Sequence, residues 1–201
     1  MDTQARHNLV ISGIGSAAGG TYQNLNVQGV AKVHGDVDCV LCLVEGVVEV
    51  NGNVKVQTMH IRGKAKIRGH VLGEDVKVDG ELTIAGNCEA EKFDVAGGFV
   101  IDGLLNAGQI SIRLHGRAKV REIGGEQIRV EGGPRFGLFK RGRTLSVDSV
   151  EGDDVYLEYT KARAVRGNKV NIGPGCEIDL VEYRTDFQQA KEAKITSSQR
   201  V

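Results

Sequence analysis

Glycine recurs at positions 29, 46, 63, 80 and 97, five times at an unbroken spacing of 17. A second series, Gly35, Gly52, Gly69, Gly86 and Gly103, keeps the same period six residues later. A period this strict marks one structural unit stacked on copies of itself. It restricts the chain to repeat architectures before any local propensity is weighed.

Aligned on the first glycine, the repeats resolve into columns. Val27, Val44, Ile61, Val78 and Val95 form one; Val33, Val50, Ile67, Ile84 and Ile101 another; Val37, Val54, Val71, Cys88 and Leu105 a third. Within a unit the apolar residues come as alternating pairs, Leu25/Val27, Ala31/Val33, Val37/Cys39 and then Cys42/Val44. Alternation means short strands with one buried face. The pairs start 6, 6 and 5 residues apart, so each coil has three sides, with glycine at corners that need positive φ or close backbone approach. The expected fold is all-β, a three-sided β-solenoid of about 17 residues per coil. Helix is a poor rival: 28 glycines at roughly 1 kcal/mol each would weaken it, and Val47–Val56 is β-branched with a period of two.

The outward columns Gln28, Glu45, Arg62, Asp79 and Lys32, Glu49, Lys66 alternate in charge from coil to coil, which discourages register slips. A further polar column, Asp36, Asn53, His70, Asn87, does not alternate and is expected to solvate a corner.

With 26 basic and 26 acidic residues, the chain has no bulk attraction for nucleic acid or an anionic membrane. Nine aromatics and no Trp leave little for base stacking. The start resembles no signal peptide and no apolar run reaches spanning length, so a cytoplasmic location is expected. Cys39-x-x-Cys42 is half of a zinc motif. Yet Cys39 shares its column with Val56 and Ala90, Cys42 with Val76 and Phe93, and Cys88 with Val54 and Val71. Packing is the expectation for these three and for Cys176, with no metal and no cofactor.

The strict period ends near residue 105. Residues 1–8 read as a flexible start and 9–130 as the solenoid core. Residues 131–144 form a basic and aromatic insert, and 145–183 further coils. The polar tail 184–201 reads as a short helix over 186–194 followed by disorder. In the insert, Phe136 and Phe139 lie among Arg135, Lys140, Arg141 and Arg143. That composition fits docking on a membrane surface or an acidic partner, or phenylalanines folded back onto the rod.

No catalytic constellation emerges. His34, His60 and His70 share columns with Asn51, Lys77 and Asn53, a surface pattern, and His115 stands alone at the register break. Glu74-Asp75 and Glu151-x-Asp153-Asp154 are isolated turn acids. Hexapeptide-repeat acyltransferases use triangular coils advancing by 18, not 17, which leaves that enzyme class as a distant alternative. The other option is that the rod itself is the function, since each end of a solenoid presents strand edges able to accept another coil.

Coils of the type Val27-x-Gly29-x-Ala31-x-Val33-x-Gly35-Asp36-Val37 resemble the bactofilins, bacterial cytoskeletal proteins, over roughly residues 8 to 125. Residues 155–183, with Val155-Tyr-Leu-Glu-Tyr-Thr-Lys-Ala162 and Val181-Glu-Tyr183, are similar to the longer bactofilins of Gram-positive spore formers. The resemblance implies a right-handed triangular β-helix and nucleotide-independent, non-polar filaments. It implies a scaffold, peripheral at the inner face of the membrane, that positions proteins for cell shape or flagellar assembly. Partners would be the chain itself, a paralogous bactofilin and membrane-associated clients, with no nucleic acid and no transmembrane segment. Polymerisation in the family runs through the terminal coils, which points to Val10 and Ile11 at one end and Ile178 and Leu180 at the other. The alternative is a capped adaptor that does not polymerise.

Overall fold

In the computed structural model, residues 6–132 and 143–201 are described. They form eight strands and, among these residues, no helix: β1 (His7–Val50), β2 (Val54–Ile67), β3 (Val71–Ile84), β4 (Cys88–Gly132), β5 (Leu145–Leu157), β6 (Thr160–Ile172), β7 (Glu177–Gln189) and β8 (Lys194–Arg200). All lie in one sheet in sequence order, each parallel to the next. The fold is a β-solenoid of about nine turns built from stacked coils of about 17 residues.

Register follows the columns. Val37 pairs with Val54, Val54 with Val71 and Val71 with Cys88, while Val44, Ile61, Val78 and Val95 stack in a second line. Their side chains point inward and are buried, as are Ile67, Ile84 and Ile101. Each such aliphatic contributes about 1.5–3 kcal/mol when removed from water. Large residues appear where the period begins to fail: Phe93 and Phe99 meet edge to face at 5.9 Å inside the coil.

The first glycine series is a backbone stack. Gly29, Gly46, Gly63 and Gly80 hold φ between +133° and +148°, a conformation L-residues with a Cβ adopt only under strain. A Cβ on any of them would also collide with the carbonyl oxygen of the glycine one coil earlier, and the same holds for Gly97 over Gly80. Stacking in register therefore requires glycine twice over, for φ and for space.

The second series has a different reason. Asp36 accepts a hydrogen bond through Oδ1 from the Asn53 backbone N–H at 2.7 Å. Asn53 Oδ1 accepts from His70 N–H at 2.8 Å, His70 Nδ1 from Asn87 N–H at 3.0 Å, and Asn87 Oδ1 from Leu104 N–H at 3.1 Å. Each side chain folds over the next coil's glycine: a Cβ on Gly52, Gly69, Gly86 or Gly103 would strike Asp36, Asn53, His70 or Asn87 in turn. The column expected to solvate a corner instead satisfies backbone donors that a turning chain leaves unpaired. It ends at Leu104, whose side chain has no acceptor.

Immediately beyond, the period changes. Gly125 sits against the Ala107 carbonyl, 18 residues back. Ala118 then pairs with Leu145, 27 residues on, whereas Leu145 pairs with Thr160, only 15 on. The extra length is the insert, which interrupts one coil at a corner without ending the stack. Later pairs advance by 16 (Lys161 to Glu177) and 17 (Glu177 to Lys194).

The tail differs from the sequence expectation. Residues 186–189 belong to β7, and 194–200 form β8, with Ile195 over Ile178 and Val201 N–H donating to the Tyr183 carbonyl at 2.9 Å. A short isolated helix would leave the β7 edge without partners, and parallel pairing satisfies it.

Gly63→Ala should lower stability by about 1–3 kcal/mol or more in urea unfolding. Gly124→Ala, where the added Cβ meets only the tip of the Asn106 side chain, should cost less than about 1 kcal/mol. In the ladder, Asn53→Leu should destabilise by about 1–3 kcal/mol because the His70 N–H loses its acceptor, whereas His70→Asn should retain wild-type stability.

Candidate functional site

A rod offers two ends, a flank and whatever interrupts it. At the first described coil, Ile11 is buried at 8% exposure, while Val10 is 61% exposed and points outward. The two residues expected at this end therefore divide, Ile11 sealing the core and Val10 facing solvent. Tyr22 fills the coil interior, donates from its hydroxyl to the Ala18 carbonyl at 2.8 Å, and meets His7 edge to face at 5.2 Å. Asn24 Nδ2 donates to Asn8 Oδ1 at 3.0 Å, and Arg6 bridges to Asp38 at 3.1 Å. These contacts tie the first coil to the coils that follow it.

At the other end the expected pair is displaced by one coil. Ile178 and Leu180 pair with Ile195 and Ser197 of β8, and Ile178 is only 2% exposed. Ile178 is a core residue and Leu180 is half-buried, and both lie one coil in from the end because the polar tail folds as another strand. The outermost surface among the described residues is β8 together with the stretch of β7 it leaves uncovered. There Tyr183 and Phe187 stack at 5.2 Å, both half-buried. This end is charged: Lys161 bridges to Glu177 at 2.7 Å, Arg166 pairs with Glu182, and Gln199 Nε2 donates to Glu182 at 2.7 Å. Hydrogen bonding to Lys161 and to Arg166 holds the Glu177 and Glu182 carboxyls below their usual range. The sequence signal for β8 is weak, since Ile195 is its one large aliphatic.

The insert leaves the rod at a built corner. Gly132 N–H donates to Glu158 Oε2 at 2.8 Å, and the Tyr156 hydroxyl donates to Glu158 Oε1 at 2.6 Å. The Glu158 carboxylate disfavours loss of that proton and pushes the Tyr156 phenol up to about 12. Arg129 lies 4.7 Å over the Tyr156 ring and bonds Glu131. The Tyr159 ring, on a residue with φ of 46°, occupies space that a Cβ at Gly132 or Gly175 would fill. Of the basic and aromatic set, Arg143 is described and exposed. Arg135, Phe136, Phe139, Lys140 and Arg141 lie outside the described residues.

The remaining candidate chemistry falls where its columns put it. All four cysteines are buried and unbridged. The Cys39 and Cys42 thiols hydrogen-bond each other, which lowers the first and raises the second. Burial pushes Cys88 up to about 12 and Cys176 to about 11. His60 lies 3.3 Å from Asp79, His70 serves the ladder, and His34 and His115 are exposed. Asp153 accepts from Asn168 at 2.7 Å in a shallow polar groove that also holds the Arg166–Glu182 pair.

Two curated proteins of Bacillus subtilis (strain 168) are similar to this chain. The uncharacterized protein YhbF is 49% identical over 82 residues, 40% of this chain and 34% of the relative. The uncharacterized protein YhbE is 41% identical over 104 residues, 49% of this chain and 43% of the relative. The chain thus spans less than half the length of either relative. No protein-family model and no solved structure matches it.

Because burial disfavours the thiolate, Cys88 and Cys176 should resist iodoacetamide at pH 8 in the folded protein and label fully in denaturant. Intact-mass and peptide mass spectrometry read both states directly.

Proposed function

We propose that the chain is a bactofilin-type scaffold whose copies add end to end into nucleotide-independent filaments. The observation that carries this reading is the pair of strand edges at the two ends of the described stack. Among the described residues no strand pairs with the outer edge of the first coil, of β8, or of the β7 stretch beyond Tyr183. Parallel edges of in-register coils are templates for a further coil, and addition satisfies their backbone groups without a nucleotide. The coil pattern shared with bactofilins supports the same reading, including non-polar growth and a role in positioning proteins for cell shape or motility. In this reading the chain works in the cytoplasm, at the inner face of the membrane through its clients. Its partners are itself, a paralogous bactofilin and those clients.

One observation favours a second reading, the capped adaptor. β8 covers only part of the last full coil and directs Lys194 and Arg200 outward, which makes that end costlier to bury than an aliphatic edge.

Negative-stain microscopy of the purified full chain without nucleotide should show filaments. Ile195→Arg, at the outermost strand, should shorten or abolish them, while Lys66→Glu on the flank should leave their length unchanged. Monodisperse short rods at every salt concentration would reject end-to-end growth and select the adaptor.

A further inference from the structure

Ile14, Val30 and Val47 each follow a glycine of the backbone stack, Gly13, Gly29 and Gly46, so they fall in one outward column. They are 90%, 47% and 40% exposed. With coils about 4.8 Å apart, they form an apolar ridge about 10 Å long on the flank of the rod. In the next two coils the same column carries Lys64 and Glu81, joined at 2.7 Å. The ridge is therefore confined to the first three coils.

Its surroundings are unusual for this chain. Charged residues make up 26% of the sequence, yet there is none from Asn8 through Ala31. The outward neighbours of Ile14 and Val30 are Ser12, Ser16 and Gln28, with Lys32 the first charge beside them. Of the six large hydrophobics exposed among the described residues, four lie between Val10 and Val47. Single exposed aliphatics need no explanation, but three in register constitute a patch, uncharged on either side of Ile14, with Lys32 beside Val30 and bordered by Glu45 and Glu49 at Val47.

The chemistry of the patch selects its partner. A charged surface laid on it would lose hydration without gaining a counter-charge. An anionic membrane would find no Lys or Arg between Asn8 and Ala31 to hold it. The flank beyond the ridge is laced with ion pairs, as at Lys64–Glu81, Arg113–Asp94 and Lys161–Glu177, and Glu45–Arg62 marks its border beside Val47. The matching apolar surface on this molecule is the same ridge on another copy, uncharged around Ile14, and a patch that matches itself gives a twofold contact. We propose that Ile14, Val30 and Val47 form a lateral seam through which two copies pair side by side along their first three coils. Its use in a scaffold rests on the reading above. The contact itself does not, because it lies on the flank and engages no strand edge.

The test uses the full chain and the double variant Ile14→Glu/Val30→Glu, with Val30→Thr as a milder change. Both positions point outward, so the thermal midpoint and circular dichroism should match wild type. Wild type should sediment as paired rods, or form filaments of double width. The pairing should survive about 1 M salt, because an apolar contact is not screened. The double variant should show half the mass, or single-width filaments of unchanged length, and Val30→Thr an intermediate fraction of pairs. Wild-type rods that are single at all concentrations, pairing that the double variant leaves intact, or pairing lost at high salt would each overturn the seam. So would single rods that bind neutral phosphatidylcholine vesicles through Ile14 and Val30, which would assign the ridge to lipid. Pairs that form and are broken by the variant in the absence of any filament would support the seam and reject end-to-end growth instead.

Discussion

Everything in this molecule depends on one backbone contact, the carbonyl of one corner glycine lying against the α-carbon of the next. Gly29 on Gly13, Gly46 on Gly29 and so on to Gly97 fix both the turn and the distance between coils. No side chain mediates the contact, so none can adapt if the register slips. A one-residue slip would put a Cβ into a carbonyl and turn every inward valine outward. The aliphatic core supplies most of the stabilisation, but it would tolerate several registers. The glycine stack admits one.

The second glycine series shows how a backbone requirement and a side-chain requirement become coupled. Asp36, Asn53, His70 and Asn87 differ in charge and shape but share an acceptor at the same reach, and each needs an unobstructed glycine beneath it. That shared acceptor explains why a histidine stands in a column of Asn and Asp. It also gives the period its limit. Where the acceptor is missing, at Leu104, the coil length moves to 18 and then to 15, and the corner is rebuilt around Tyr159 and its flanking glycines.

The period, the inward columns and the burial of the cysteines were legible because they rest on period-two alternation and on residue types that recur at fixed spacing. The ladder was visible as a column but not as a set of acceptors, since a polar corner reads the same whether it bonds water or the next coil. β8 escaped for a different reason. Lys194–Arg200 lacks an alternating aliphatic pattern because it covers one neighbour only, and its strand character comes from the β7 edge, not from its own sequence. With β8 in place, Ile178 and Leu180 lie one coil in from the end. The insert has a signature in composition, whereas the Glu158 clamp on Gly132 joins residues 26 apart and has no local signature.

In a solenoid each coil contacts only its neighbours, so stability accumulates along the stack and the outermost coils are each short of one partner. What those coils carry then decides what the rod meets. The first described coil carries no charge beyond Arg6, with an aliphatic ridge running back along its flank, and the last is covered with ion pairs and a polar strand. Charge alternation along the flank discourages nonspecific lateral contact, because two such surfaces must be aligned coil by coil before their charges match. A surface free of charge carries no such restriction. The loss of charge from Asn8 through Ala31 therefore removes the barrier to lateral contact in one place, where the exposed column is also aliphatic. The glycine period makes the rod uniform, and this departure from charge patterning distinguishes one end of its flank from the other.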